Sequence, residues 1–344
     1  MVNRILIVGF GSSGQRHLKL ARAFFPESEI KVLTRISSKE FVDFSDGLLS
    51  TEAQAIEFRP DIGVIANPSP FHIAISLALA KIGTHLLIEK PISSSTEGVQ
   101  ELIELMRDKG STLLVGYNLR FSPSLVQFRK HLLEGIIGEL YSFRSEVGQY
   151  LPDWRPNVDY RKSVSANQLL GGGVLLELSH ELDYIRWIFG EIAWVRSTLT
   201  KLSTLEVDVE DSAFLTLQGL PTASSPSLTG TVSLDFIRRD TTRTCTVIGE
   251  NGSLRWDGMA ENISLYKAGA VNWQTIDSFA HSPDLTYGAE WENFVNSING
   301  VESPRVTGED GLRTLEIIEA ARASSVSGQQ FSLKRNETNS KAKG

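Results

Sequence analysis

The stretch Arg4-Ile5-Leu6-Ile7-Val8-Gly9-Phe10-Gly11-Ser12-Ser13-Gly14-Gln15-Arg16-His17-Leu18 decides the fold. A short apolar run that ends in glycine reads as a buried parallel strand. Leu18, Leu20, Ala21 and Phe24 then recur at helical spacing. The three glycines have separate tasks. Gly9 permits a tight turn, Gly11 lets the backbone approach a pyrophosphate, and Gly14 allows the helix to pack closely on the strand. The N-terminus of that helix offers N–H groups and partial positive charge to phosphate oxygens. Strand, loop and helix in this order predict a Rossmann unit for a nicotinamide dinucleotide, with Gly9, Phe10, Gly11, Ser12, Ser13 and Gly14 as cofactor contacts.

Outward from that loop, strand and helix patterns alternate. Strands are expected over 30–33, 61–66, 85–88 and 112–115, and helices over 15–24, 71–82 and 96–109. This alternation predicts a doubly wound parallel sheet. The character changes after about residue 117. A helix over 123–134, a strand over 140–149, a polar loop over 151–165 and a helix over 174–188 come first. Strand-like runs follow without intervening helices, over 193–201, 213–218, 228–235, 242–248 and 263–266, and helices over 288–298 and 309–325 close the pattern. Clustered strands predict a largely antiparallel sheet in a second, α+β domain. The expected division is a Rossmann domain over 1–119, a substrate and oligomerisation domain over 120–333, and a disordered tail over 334–344.

Bulk composition narrows the function. The 344 residues are 41% hydrophobic and 22% charged, with a net charge of −7. That is ordinary for a globular protein, and the acidic balance argues against nucleic acid as a partner. The single cysteine, Cys245, excludes an internal disulfide and a cysteine-built zinc site. No signal peptide is visible and no apolar run suffices for a membrane helix, so a cytoplasmic protein without membrane partners is expected.

The end of the second strand bears on cofactor choice. NAD-preferring sites place a carboxylate there for the ribose 2′-hydroxyl. This chain instead has Leu33-Thr34-Arg35-Ile36-Ser37-Ser38. Arg35 can pair with a 2′-phosphate, and Ser37 and Ser38 can donate hydrogen bonds, which favours NADP(H) and leaves NAD(H) open.

Two further constellations carry chemistry. Glu89-Lys90-Pro91 stands at the end of the fourth expected strand, where open α/β sheets bind ligands. A lysine there can exchange a proton with a substrate hydroxyl. In Glu177-Leu-Ser-His180-Glu-Leu-Asp183, the two carboxylates are helical neighbours of His180, and a histidine so flanked can shuttle a proton near neutral pH. Convergence of Glu177, His180 and Asp183 on a metal is the weaker reading. Lys90, His180, Asp183 and Glu177 are thus the catalytic candidates.

The order of the glycine loop, Asn67-Pro68-Ser69-Pro70-Phe71-His72, Glu89-Lys90-Pro91, Gly116-Tyr117-Asn118-Leu119-Arg120-Phe121 and the glycine-rich lead into His180 resembles the glucose–fructose oxidoreductase/inositol dehydrogenase/MocA family. The resemblance covers nearly the whole chain. It implies an open-faced C-terminal sheet that joins subunits, hence a homodimer or homotetramer. It also implies hydride transfer between nicotinamide and a carbon of a sugar, cyclitol or nucleotide-sugar. Lys90 matches the family lysine that acts with a histidine, here His180, and Asn67, Pro68, His72, Glu89, Lys90 and Asn118 become cofactor contacts. The chain departs from the family at one point: the carboxylate commonly four residues before the histidine is replaced by Leu176, and Glu177 or Asp183 is left to partner His180.

The loop after the sixth expected strand supplies Tyr150, Trp154, Arg155, Tyr160 and Arg161. Aromatic faces suit sugar rings and polar groups suit hydroxyls, so these residues join Lys90 and His180 as substrate candidates. A non-catalytic NADP-binding sensor or assembly protein, and a dihydrodiol-type dehydrogenase, remain the rival readings.

Overall fold

The computed structural model describes residues 2–35, 44–221, 227–280 and 283–333. Ser37, Ser38 and the tail 334–344 lie outside them. The N-terminal part runs β1 (Arg4–Val8), α1 (Ser12–Phe24), β2 (Glu29–Leu33), β3 (Gly47–Leu49), α2 (Glu52–Phe58), β4 (Ile62–Ile65), α3 (His72–Lys81), β5 (His85–Glu89), α4 (Val99–Asp108) and β6 (Leu113–Gly116). Its six strands are all parallel, in the order β3-β2-β1-β4-β5-β6. The order reverses between β1 and β4, which opens the crevice beyond their carboxyl ends where such sheets bind ligands. β3 and α2 were not foreseen. The strand is only three residues long, and α2 is announced by a capping box, Thr51 with Gln54, easily overlooked in so short a helix.

The second part runs α5 (Pro123–Leu133), β7 (Leu140–Gly148), α6 (Val174–Glu177), α7 (His180–Phe189), β8 (Ile192–Thr200), β9 (Ser212–Gly219), β10 (Thr229–Asp235), β11 (Thr242–Gly249), β12 (Gly252–Asp257), β13 (Asn262–Lys267), β14 (Gln274–Ser278), α8 (Pro283–Ile298), α9 (Gly308–Ser327) and β15 (Phe331–Ser332). Its nine strands are ordered β14-β13-β12-β11-β7-β10-β9-β8-β15. Adjacent strands are antiparallel except β10 and β7, so the expected mostly antiparallel sheet is present. The single helix expected over 174–188 is two helices, broken at Leu178 and Ser179.

Alternation in β1 sends Ile5 and Ile7 to one face of the parallel sheet and Leu6 and Val8 to the other, all of them buried. The first face packs against Leu18 and Ala21 of α1 and, from far along the chain, Trp291 and Phe294 of α8. On the other face α9 presses close. A Cβ on Gly308 would lie 2.7 Å from side chains of Ile103 and Leu113. Leu315, Ile318 and Ala321 of α9 are fully buried and belong to the core that the two sheets share. Among the described residues no helix is long and apolar enough to cross a membrane.

Candidate active site

The glycine loop has the form a diphosphate requires. Gly9 has φ +91°, and a Cβ there would sit 2.6 Å from the Asn67 amide nitrogen. A Cβ on Gly14 would collide with the Gly9 carbonyl. A Cβ on Gly11 would meet nothing within 4 Å. Gly11 is the N-cap of α1 and no side chain caps that end. Two glycines therefore serve the turn, and the third faces open space before uncapped N–H groups, so these residues fit a dinucleotide. Ser12 and Ser13 open α1, and Phe10 packs against the N-terminal core. Arg35 is exposed at the carboxyl end of β2.

Lys90 follows β5 directly. Its Nζ donates to the carbonyl oxygen of Glu177 at 2.7 Å. The helix break makes that carbonyl available. In a continuous helix it would accept the amide of Glu181, but Glu181 N bonds to the Leu178 carbonyl instead. The carboxylate of Glu177 accepts from Ser165 Oγ at 3.0 Å. Glu177 is thus tied to Lys90 through its backbone, a relation that residue spacing could not indicate.

His180 opens α7, and its ring is half-buried. Among the described residues its buried Nδ1 has no hydrogen-bond partner, and the Tyr117 ring meets the imidazole edge-on with centres 5.5 Å apart. Burial, and then the positive charges of Lys90 and Arg243, push its pKa well below the usual 6.5, so the ring is neutral at pH 7. Asp183 does not partner it. Asp183 is 1% exposed, and both its oxygens accept from Arg120, at 2.8 and 2.6 Å. Arg120 also reaches Asp310 at 3.2 Å. With Asp183 turned onto Arg120, the three residues do not converge.

Glu89 is oriented from below. His17 Nε2 lies 2.9 Å from Glu89 Oε1, and the Trp291 indole donates to His17 Nδ1 at 2.9 Å. An indole only donates, so the imidazole proton resides on Nε2 and goes to Glu89. Burial alone would raise the Glu89 pKa, but the His17 bond and the Lys90 charge outweigh it and hold the carboxyl low. Asn118 lines the cavity and donates to Thr286 Oγ1 of α8 at 2.9 Å. His72 is not at the cofactor surface. It is 1% exposed, and its ring spans the carbonyls of Asn67 and Pro91 at 2.6 and 3.1 Å. Its work is to hold two βα loops together. Pro68 leads into the short turn Ser69–Phe71, and among the described residues the buried Asn67 Oδ1 has no hydrogen-bond partner.

Lys90, Asn118, Glu177, His180 and Trp154 line one cavity of about 400 Å³ between the two sheets. The remaining substrate candidates lie elsewhere. Tyr150 sits under the Arg239 guanidinium, 3.4 Å from its ring centre. Arg155 reaches across to the glycine loop and donates to Ser12 Oγ at 3.0 Å. Tyr160 accepts from the Glu206 amide, and Arg161 pairs with Asp159 and Glu206 at the surface. A cation–π contact, hydrogen bonds and, for Arg161, ion pairs engage these groups. Sequence reading missed Arg16, Gln149, Arg243, Trp256, Glu261 and Tyr287, which line it from several elements and share no spacing.

A dinucleotide cradle beside a lysine and a neutral histidine defines a nicotinamide-dependent oxidoreductase fold. The chain matches the family model described as "Oxidoreductase family, NAD-binding Rossmann fold" over residues 3–117 and the family's C-terminal alpha/beta domain over residues 129–333. It belongs to the Gfo/Idh/MocA oxidoreductase family. It is 25% identical to inositol 2-dehydrogenase of Rhizobium meliloti over 353 residues, which cover 97% of this chain and 100% of that one. Levoglucosan dehydrogenase of Pseudarthrobacter phenanthrenivorans is 33% identical over 150 residues, 41% of this chain and 36% of that relative. Among solved structures, levoglucosan dehydrogenase with NADH superposes with a TM-score of 0.83 at 20% identity, covering 97% of this chain and 99% of that one. The WlbA dehydrogenase of Bordetella pertussis with NADH and UDP-GlcNAcA gives 0.79 at 20% identity, covering 97% and 99%. These likenesses show the shared fold.

Proposed function

We propose that the protein moves a hydride between nicotinamide and a secondary alcohol or ketone of a sugar, cyclitol or nucleotide-sugar, with NADP(H) the preferred cofactor. The observation that carries this reading is the joint placement of the Lys90 ammonium and the neutral His180 ring in one cavity beyond the carboxyl ends of the parallel strands. The nicotinamide, when bound, supplies the hydride acceptor or donor. His180 takes the hydroxyl proton, for which a neutral imidazole is the right starting state. Lys90, steadied by the Glu177 carbonyl, has ammonium protons left to stabilise negative charge developing on the substrate oxygen. Asn118, fixed by Thr286, borders the same space and helps to orient the ring system. Arg35 at the end of β2 supports the NADP(H) preference, since no carboxylate stands there to hold a ribose 2′-hydroxyl. The activities named for the relatives above are in keeping with this substrate class.

The test uses purified protein against a panel of sugars, cyclitols and nucleotide-sugars with each cofactor. Lys90→Ala is expected to abolish turnover while cofactor affinity is largely kept, and KM for NADPH is expected to be below that for NADH. Near-normal turnover by Lys90→Ala would overturn the mechanism, and a strong NADH preference would overturn the role given to Arg35.

A further inference from the structure

We infer that His17, pinned by the Trp291 indole, is a positioning residue that holds the Glu89 carboxylate in place as the counter-charge of the Lys90 ammonium. This rests on the hydride-transfer reading above and deepens it.

Three elements meet at this carboxylate. Glu89 ends β5, His17 stands in the second turn of α1, and Trp291 belongs to α8. His17 and Trp291 are fully buried and Glu89 is nearly so. Glu89 Oε1 accepts from His17 Nε2 at 2.9 Å, and Oε2 accepts from the Lys90 backbone amide at 3.2 Å. One oxygen is thus tied to the helix that carries the glycine loop and the other to the lysine itself. β6 leaves room for the group, since a Cβ on Gly116 would lie 3.3 Å from Oε2. With His17 Nδ1 taken as acceptor by the indole, the imidazole has one proton and gives it to Glu89.

The charges in this cluster leave one opposed pair. Besides His17 and Lys90, the titratable groups that face Glu89 are His72 of α3 and Tyr287 and Glu290 of α8. Burial lowers the pKa of His72 and raises those of Tyr287 and Glu290, so each favours its neutral form. Lys90 is the cation that remains opposite Glu89 among the described residues. Its Nζ is bonded to a neutral group, the Glu177 carbonyl. Glu181 also feels the Lys90 charge, but it is bonded to Arg243 at 2.8 Å. A cation drawn partly out of water is costly unless an anion balances it, and Glu89 is placed to do so. Burial by itself would protonate Glu89, and the His17 bond is the first of the forces that oppose this. Without that bond Glu89 takes up a proton and Lys90 faces a neutral neighbour.

His17→Phe keeps a ring in the core and removes the bond. With the best substrate of the panel, its kcat is expected to fall about 10- to 100-fold below native at low pH, the value of a hydrogen bond to a charged group. The deficit is expected to close between about pH 6 and 9, because a carboxyl with a raised pKa ionises once the pH passes it. Its cofactor Kd is expected to stay within about threefold of native, whereas a merely structural fault in α1 would disturb the diphosphate cradle and raise Kd at every pH. His17→Gln restores a donor for Glu89 and an acceptor for the indole, and is expected to recover most of the turnover. Glu89→Gln keeps the shape without the charge. It is expected to be slow at every pH, and adding His17→Phe to it costs little more, since both changes remove the same charge.

A deficit in His17→Phe that ignores pH, fully additive losses in the double variant, or no recovery in His17→Gln would each overturn the assignment. If His17→Phe does not fold, near-native turnover by Glu89→Gln overturns it. If the native protein turns over nothing in the panel, the hydride-transfer reading fails, and thermal melts still decide the charge of Glu89. An acid with a lowered folded pKa gives stability that is present above its unfolded value, and one with a raised folded pKa loses stability as pH rises. The Tm gap between native and His17→Phe should therefore widen from about pH 5 to 8, and a gap independent of pH would overturn the role given to His17.

Discussion

Replacing Asp183 by Asn separates two roles that the sequence leaves entangled. Asp183 and Arg120 are 1% and 4% exposed and joined by two bonds, so Asn leaves a buried guanidinium facing an amide. Breaking a buried pair costs about 3–5 kcal/mol. Arg120 keeps Asp310 at 3.2 Å and the Arg305 carbonyl at 3.2 Å, which places the loss near the lower end, about 3 kcal/mol. For a chain of this length that is about 6 °C in Tm, at roughly 2 °C per kcal/mol. Urea denaturation followed by tryptophan fluorescence reads the loss. Steady-state kinetics on the folded fraction then ask whether catalysis followed. Turnover within about threefold of native and an unmoved pH profile are expected, since Asp183 serves Arg120. Removing a carboxylate that orients a catalytic imidazole costs up to about 10⁴-fold. A loss approaching that size in a well-folded variant would refute the reasoning and return Asp183 to His180.

Further outcomes follow from single residues. Glu290 is 0% exposed, both its oxygens lack hydrogen-bond partners among the described residues, and burial followed by the Glu89 charge raises its pKa well above 4.5. An acid that binds its proton more tightly when folded gives stability that is full below the unfolded value and fades as pH rises toward the folded one. Glu290→Gln keeps the shape without the titration, so its Tm advantage over the native protein should widen between about pH 5 and 8; a difference independent of pH in thermal melts would count against a protonated Glu290. Gly11→Ala places a methyl in open space where the proposed diphosphate would lie, so its Tm should hold while the cofactor Kd by titration rises at least about tenfold. Gly14→Ala, aimed at the Gly9 carbonyl, should instead lose stability, and equal behaviour of the two variants would contradict the division of labour in the loop.

The parallel domain was legible because its signals are local. A strand ends in glycines, a helix starts three residues on, and the same period repeats through β6. Lys90 and His180 were legible as residue types in a telling order, and they line one cavity. Their partners were not legible. Lys90 is held by a backbone carbonyl exposed by a helix break, and no side-chain pattern marks that break, since 174–188 reads as one amphipathic run. Asp183 has helical spacing from His180 yet points at Arg120, because spacing fixes neighbours on a cylinder and leaves open which neighbour from another element comes closer. Arg155, Tyr160 and Arg161 have the chemistry of a sugar site but find Ser12, the Glu206 amide and Asp159 nearer than the cavity. Arg243 was invisible because an arginine in a strand carries no signal until the strand's neighbours are known.

The position of α8 governs the order in which this protein can be made. Ile5, Ile7 and Leu18 are translated more than 270 residues before Trp291 and Phe294, whose side chains pack against them. In that interval α1 covers this face of the sheet only in part, and exposed apolar surface of that kind is what chaperones commonly shield. A fragment ending before α8 would retain the whole glycine motif and still be a sticky, half-clad domain. The sheet that carries the glycine loop gains its full cover only once α8, which follows β14 of the second sheet, has been translated.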